Sequence, residues 1–277
     1  NPLQWAAWTP PNVDIRKMKD YKLGGNEVLT IGEGWENPYF LAYGINNRFK
    51  RNRLIGNISA TWEISPQLSL MGRYAMNRSD EVRETKIDPG YSGEPNNGAY
   101  GIVTGESTET NVDALLSYKN HWSDFSLSSS VGGNVLYANW SNVSNSSKPG
   151  SGLIIPYLYT IQNIENTSLN YSNARYERGI NSVYAMGNLG WRDMIYLDLT
   201  ARNDWSSTLP SNNRSYFYPS SSLSFILNNM FDMGRQVDLL KIRGGAAQVG
   251  NDTSPYSLFA TYYDAGQWGD AIRLGKP

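Results

Sequence analysis

The residue types that usually carry enzymatic chemistry are scarce in this sequence. Its 277 residues include one histidine, His121, and no cysteine. A histidine-based triad, a multi-histidine metal site and a thiolate site therefore lack the residues that they need. Aspartates and glutamates are scattered, and no pair stands out as the acid and base of glycoside hydrolysis. The sequence predicts a protein that is not an enzyme, with no catalytic residues, no metal site and no cofactor.

One acidic cluster deserves a separate test as a metal site. It consists of Asp80, Glu81, Glu84 and Asp88. Hard cations such as Ca²⁺ take several oxygen ligands, so such a cluster could hold one. The spacing does not match an EF-hand loop, however, and basic residues are interspersed. We expect a solvated, charged face of a loop.

Aromatic residues set among amides and hydroxyls form the more promising group. They are Trp140, Tyr157, Tyr159 and Tyr171, within a stretch rich in Asn and Ser. Flat rings stack on the C–H face of a sugar while amides bond its hydroxyls, and Tyr and Trp are equally favoured at protein interfaces. These four residues are candidates for contact with a substrate or with a partner that acts as a lid. Packing of the loop on its own aromatics is the plainer alternative.

The elements that must position these residues are predicted to be long β-strands. From Arg53 to Ile64 the residues alternate: Leu54, Ile58 and Trp62 fall on one face, and polar residues fall on the other, with Ile55 as the exception. Further alternating runs follow at about 68–77, 111–119, 125–137, 183–191, 195–204, 223–227 and 240–246. Short turns are predicted near residues 65, 122 and 193, and long polar connections at 79–105 and 139–175.

Alternation alone does not distinguish a membrane barrel from a soluble sandwich, but three features favour the barrel. The twelve residues from Arg53 to Ile64 would span roughly 40 Å at ~3.3 Å each, longer than usual soluble strands. Short turns would lie on one rim and long loops on the other. Trp62, Tyr118, Phe125 and Trp191 fall near the short turns, where an interfacial girdle would lie.

Charge and hydropathy narrow the class of protein further. The formal net charge is −1, with 24 basic and 25 acidic residues, so no basic field is present to bind nucleic acid. No apolar run approaches the ~18 residues of a membrane helix. On a barrel interpretation the polar face would line an aqueous lumen with hydrated charges. These are Arg53, Glu63, Arg73, Asp113, Lys119, Asp198, Arg202 and Asp204.

Several short segments, in order, resemble one known family. They are Asn37-Pro38-Tyr39, Arg53-Leu54-Ile55-Gly56-Asn57, Leu68-Ser69-Leu70 with Arg73, the run from Arg202 to Pro210, Ser215-Tyr216-Phe217-Tyr218-Pro219-Ser220, Leu240-Lys241-Ile242-Arg243 and Gly250-Asn251-Asp252. Together they closely resemble the barrel of SusC-like TonB-dependent transporters from the outer membranes of Bacteroidetes.

The resemblance implies an all-β transmembrane antiparallel barrel of about 22 strands with a plugged lumen. It implies import of glycans or oligosaccharides, with peptides as a possibility, driven by TonB. The implied partners are a SusD-like surface lipoprotein, which caps the barrel mouth, and outer-membrane lipid. We find eight to ten strands and no plug or TonB box, so we expect residues 1–277 to be a partial transmembrane barrel domain, a middle section of a longer barrel.

Two other functions stay open at this point. A passive porin-like or structural outer-membrane barrel would show the same lumen charges. A soluble carbohydrate-binding β domain would show the same alternation, but with its apolar face in a dry interior between two stacked sheets.

Overall fold

The computed structural model describes residues 1–32, 35–91, 97–148, 150–231, 237–258, 262–269 and 271–275. A single eight-stranded sheet dominates these residues. Its strands are β3 (Ile45–Glu63), β4 (Leu68–Ile87), β5 (Ala99–Trp122), β6 (Phe125–Ser147), β7 (Leu169–Trp191), β8 (Ile195–Ser206), β9 (Ser215–Ile226) and β10 (Lys241–Ala247). Each strand lies beside its neighbours in sequence, from β3 at one edge to β10 at the other.

Smaller elements flank this sheet. The helices are α1 (Pro2–Trp8), α2 (Pro38–Tyr43) and α3 (Leu227–Met230), with 3₁₀ turns at Ile15–Met18, Ile161–Asn163 and Asn166–Ser168. Two hairpins are formed by β1 (Lys22–Gly24) with β2 (Glu27–Val28), and by β11 (Tyr263–Trp268) with β12 (Ala271–Gly275). In the described part of the chain, no helix is both long and apolar enough to cross a membrane.

The eight predicted strands are confirmed, but their lengths were underestimated. Strands β5, β6 and β7 have 24, 23 and 23 residues. The prediction of loops at 79–105 and 139–175 is wrong for much of both ranges, because the connections are limited to residues 88–98 and 148–168. Trp140 consequently lies in β6 and Tyr171 in β7. Apolar alternation fades in these strand ends, yet the backbone ladder continues because it does not require an apolar face.

The chain divides into two compact units. Unit 1 comprises Asn1–Arg53, Arg78–Ser107 and Trp140–Arg175. Unit 2 comprises Leu54–Asn77, Thr108–Asn139 and Tyr176–Pro277. Unit 1 therefore contains the two long connections, and unit 2 contains the predicted short turns, which the structure confirms at 64–67, 123–124 and 192–194.

Unit 1 has a small conventional core. Leu153 and Ile164 are almost fully buried and pack with Tyr100. Near the N-terminus, the buried Asn37 caps α2 by accepting from the backbone N–H of Tyr39 at 2.9 Å, and its amide donates to the carbonyl oxygens of Met18 (3.0 Å) and Leu29 (2.9 Å). One capping side chain thus fixes helix α2 and two preceding segments together.

In unit 2 the sheet has the two-faced character that the alternation predicts. Paired positions form cross-strand rows, such as Leu189–Leu197–Leu223 on one face and Asn188–Asp198–Ser222 on the other. On the apolar face, Leu54 is 59% exposed, Ile58 72% and Leu199 51%, while Leu197 is half-buried. No second large sheet covers this face within the described residues, since the other two sheets have two strands each. This arrangement is not the stacked sandwich of the soluble alternative.

Candidate functional site

Two of the four candidate aromatics lie together in the connection between β6 and β7. The Tyr159 hydroxyl donates to Asp88 Oδ1 at 2.5 Å, and Lys22 Nζ lies 3.3 Å from Asp88 Oδ2. The same ammonium group lies 4.7 Å from the centroid of the Tyr157 ring, within cation–π range. We call Lys22, Asp88, Tyr157 and Tyr159 the Tyr–Asp–Lys cluster.

Asn163 holds the backbone around this cluster. Its buried amide donates to the carbonyl oxygens of Ile155 and Leu158, both at 2.7 Å, and accepts from the N–H of Ile155 at 2.9 Å. Tyr157, within this turn, has a φ of +66°. A left-handed tyrosine is strained, and it persists only where neighbouring bonds fix it. The connection is therefore a specifically folded segment, shaped by one asparagine.

Burial and charge set the protonation of the cluster. Burial, followed by the hydrogen bond to Asp88, raises the pKa of Tyr159. Partial burial opposes the charged form of Lys22, but the bond to Asp88 and its attraction outweigh this and raise the pKa of Lys22. At neutral pH Tyr159 is a neutral donor and Lys22 a cation. The Tyr159 hydroxyl is bonded within the protein, whereas residue Tyr157 is 42% exposed.

The other two candidate aromatics lie elsewhere in unit 1. Trp140, on β6, is 38% exposed and lines a cavity of about 370 Å³ with residues of β4 and β5. Tyr171, near the start of β7, is 76% exposed. The structure therefore brings Tyr157 and Tyr159 into one cluster and does not show Trp140 or Tyr171 in it. Whether any of the four contacts a substrate or a lid stays a prediction.

The acidic cluster is spread along β4 and its end, and each member has a basic partner. The ion pairs are Asp80–Arg78, Glu81–Arg51, Glu81–Arg83, Glu84–Lys86 and Asp88–Lys22. Within the described residues, no group of three or more potential metal ligands is found. The prediction of a loop face is wrong in its secondary structure, because Asp80, Glu81 and Glu84 lie within a strand.

The polar face of unit 2 contains an ordered network that sequence reasoning missed. Asp204 is buried, accepts from Arg202 Nε at 2.7 Å and accepts a hydrogen bond from the Tyr218 hydroxyl. Arg202 also donates to the Ser182 hydroxyl at 2.9 Å. Asp113 is buried too and pairs with Arg73 at 3.0 Å. The expectation that Asp113 and Asp204 are hydrated wall charges is therefore wrong, because arginines and a phenol replace their water.

A third buried carboxylate, that of Asp252, extends this pattern. Asp252 Oδ1 accepts a hydrogen bond from Arg178 at 2.7 Å. Its Oδ2 accepts hydrogen bonds from the hydroxyls of Ser206 (2.6 Å) and Thr208 (3.1 Å). Asp204, Ser206, Thr208, Tyr218 and Asp252 all belong to segments on which the family resemblance rests. The signal in the sequence was the i, i+2 spacing of Arg202, Asp204 and Ser206, which places them on one face of a strand.

Comparisons with known proteins agree with this architecture at the level of the fold. No protein-family model matches the sequence, and no curated protein matches it significantly. Solved structures do match. They include the RagAB peptide importer in its closed-closed state (TM-score 0.73, 20% identity, covering 88% of this chain and 27% of that one) and the RagAB peptide transporter (TM-score 0.75, 19% identity, 91% and 28%).

These similarities concern the fold of the chain alone. At 19–20% identity they show that the sheet has the architecture of a section of those importers. The chain spans about a quarter of the length of the matched structures. The activity, substrate and partners of the whole protein are therefore taken up as proposals.

Proposed function

We propose that this chain is a section of the barrel wall of an outer-membrane importer for bulky nutrients, of the SusC-like TonB-dependent kind. The observation that carries the proposal is the single-layer sheet with an exposed apolar face and a networked polar face, matched at a TM-score of 0.75 in an importer. Lipid would cover the apolar face, and an aqueous lumen would meet the polar one.

A surrounding membrane would explain why the apolar face of the sheet is exposed. Apolar side chains on neighbouring strands, such as Leu189, Leu199 and Phe217, are 41–55% exposed. A contiguous apolar surface of this kind is unfavourable in water, and lipid removes that cost. Trp62 and Phe125 flank two of the short turns and are 66% and 46% exposed, which suits the interfacial girdle of a barrel.

The edges of the sheet support a larger barrel. Strands β3 and β10 are the outer strands of the eight described. Unpaired backbone groups in lipid cost several kcal/mol each, so we propose that both edges pair with further strands of the same barrel. Residues 1–277 are on this account one partial barrel domain, with the plug and the TonB contact supplied by other residues.

Partner and substrate follow from the same proposal. A SusD-like surface lipoprotein would cap the mouth, and the Tyr–Asp–Lys cluster is the candidate lid-facing surface because its connection is ordered and Tyr157 is partly exposed. Oligosaccharides and peptides are both suitable cargo for such a pore. The solved neighbours are peptide importers by name, and their low identity does not transfer that cargo to this chain.

Uptake in the native host tests the proposal. Labelled oligosaccharides and peptides would be offered to wild-type cells, to cells that lack this gene and to cells that lack TonB. We expect one class of cargo to enter only when both genes are present. Uptake that persists without TonB, together with large single-channel currents from the purified protein in planar bilayers, would instead establish a passive pore.

A further inference from the structure

The segment that follows strand β10 turns back across the neighbouring strands. We call residues 248–256 the strap. At its start, the N–H of Gln248 donates to the carbonyl oxygen of Pro219 on β9 at 3.0 Å. The backbone of Gly250 then lies against a ring of β9, since a Cβ there would lie 2.8 Å from Tyr216 Cδ2. A larger residue would push this ring away, so glycine permits the close approach.

Asp252 fixes the middle of the strap to β7 and β8. Its side chain is 4% exposed, and Oδ1 accepts a hydrogen bond from Arg178 of β7 at 2.7 Å. Its Oδ2 accepts from the hydroxyls of Ser206 (2.6 Å), the last residue of β8, and Thr208 (3.1 Å). Bonds to an ionised carboxylate are short and strong, so Asp252 is the residue that positions the strap.

The far end of the strap reaches β7 as well. The ring centroids of Tyr256 and Tyr176 lie 6.1 Å apart, and Tyr256 has a φ of +62°. A left-handed tyrosine is strained and persists only where its surroundings fix it. Neighbouring strands lie about 4.8 Å apart, so the path from β10 to β7 covers roughly 14 Å, well within the reach of nine residues.

The anchors of the strap share one face and one end of the sheet. Arg178, Ser206 and Tyr216 fall on the face of the polar row through Asp198, because each is an even number of residues from that row on its own strand. Ser206 ends β8, on the side of the sheet away from the short turn at 192–194. On the proposed function this face lines the lumen. This end would then be the mouth, because the short turns of such barrels are periplasmic.

We propose that the strap narrows the mouth of the lumen and limits the size of the cargo that enters. The inference rests on the proposed function and adds a size-selecting element to it. A layer that packs on a sheet through side chains lies up to about 10 Å from it, and the passage loses that width on this side. The strap cannot leave the wall freely, because the three bonds of Asp252 must break first.

The first arm of the test measures whether the strap is held. Ser254→Cys, at an exposed residue of the strap, carries a nitroxide label in the detergent-purified full-length gene product, with any other cysteine replaced by serine. Asp252→Ala removes the acceptor, and Gly250→Val displaces the chain from the ring. The matched control is Asp238→Ala, at an exposed residue outside the strap.

We expect a restricted label in the parent protein and in the control. Asp252→Ala and Gly250→Val should each increase the rotational mobility of the label about threefold or more. Heat-modifiable gel mobility verifies that each barrel is folded, and the two anchors are altered separately so that one variant suffices if the other misfolds. A freely mobile label in the parent protein, or equal restriction in all variants, overturns the strap.

The second arm measures access to the polar face in intact cells. Thr200→Cys lies on the polar face of β8, nearer the short turn than the strap, and Leu199→Cys lies on the apolar face of the same strand. The probes are a small membrane-impermeant maleimide and a long polyethylene glycol maleimide. We expect the small probe to label Thr200→Cys in every background. The long probe should react about fivefold faster when Asp252→Ala is added, because the released strap opens the passage, and Asp238→Ala should have no effect.

The outcomes separate the strap from the importer. An unchanged rate for the long probe, or no reaction of Thr200→Cys with the small probe, overturns the size limit. Equal reaction of Leu199→Cys and Thr200→Cys would refute the membrane wall, and with it the size limit. The label mobility in detergent needs no membrane, so it would still establish or refute the strap itself.

Discussion

The two units of this protein place their apolar and charged side chains differently. Unit 2 keeps an exposed apolar face and hides its carboxylates, Asp204 and Asp252, among arginines and hydroxyls. Unit 1 has its own apolar core around Leu153 and Ile164, and connections folded by asparagine. The contrast teaches that unit 2 leaves an apolar face open, which lipid would cover on the proposed function, whereas unit 1 buries a small apolar core of its own.

The largest expected effect comes from a charge on the apolar face of unit 2. Ile58→Arg would place a cation in lipid, at a cost of about 2–4 kcal/mol near the bilayer midplane. Ser59→Arg, one residue along the same strand, would face the lumen and be tolerated. The measurement is the yield of folded protein in the outer-membrane fraction, read by heat-modifiable gel mobility. Equal yields for the two variants would remove the distinction between the faces.

The second effect tests the buried carboxylate network. Asp252→Asn keeps the shape of the side chain but weakens its bonds to Arg178, Ser206 and Thr208. Hydrogen bonds to charged groups contribute about 1.5–3 kcal/mol each, so we expect a loss of ~2–3 kcal/mol in the free energy of unfolding. Urea unfolding in detergent measures it, with the exposed Asp238→Asn as the control. Similar free energies of unfolding for both variants would show that the network does not stabilise the fold.

In unit 1 the corresponding change is smaller and more local. Tyr159→Phe removes the hydroxyl that bonds Asp88 and keeps the ring beside Tyr100. We expect a loss of about 1 kcal/mol, confined to the connection at 148–168. Hydrogen exchange of the amides between Leu153 and Ile164 should quicken about fivefold, and Tyr171→Phe should have no effect. Faster exchange throughout β8 would contradict the local character of the change.

The smallest expected effect is a loss of stability of the folded protein at alkaline pH. Burial and the bond to Asp88 raise the pKa of Tyr159, so the folded protein favours the neutral phenol. The contribution to stability is full below the unfolded pKa of about 10 and is lost as the pH rises through the higher folded value. Ultraviolet absorbance at high pH should show one more late-titrating tyrosine in the wild type than in Tyr159→Phe. Identical titration curves would refute the assignment.

The same contrast explains how much could be predicted from the sequence. In unit 2 the alternation of Leu54, Ile58 and Trp62 predicted strands, turns and faces correctly, because lipid or a core demands one apolar face. In unit 1 the strand ends around Glu81 and Trp140 were predicted as loops, because ion pairs and amides replace apolar alternation there. Hydrogen-bonded ladders continue through such residues without a periodic signal.

The candidate site was predicted only in part, because its residues are far apart in the sequence. Tyr157 and Tyr159 were identified by composition, and the structure places them in one cluster. Lys22 and Asp88, which complete the cluster, are 66 residues apart, and no local pattern joins them.

The central claim is that the two faces of the sheet meet different solvents, and site-directed spin labelling tests it most directly. The chain has no cysteine, so single cysteines placed along β8 at residues 197 to 202 can each carry one label. In lipid vesicles, labels at Leu197, Leu199 and Ala201 should be relaxed by oxygen, and labels at Asp198, Thr200 and Arg202 by an aqueous nickel chelate. Relaxation by the nickel chelate at all six positions, or by neither reagent at the first three, would contradict a wall between lipid and water.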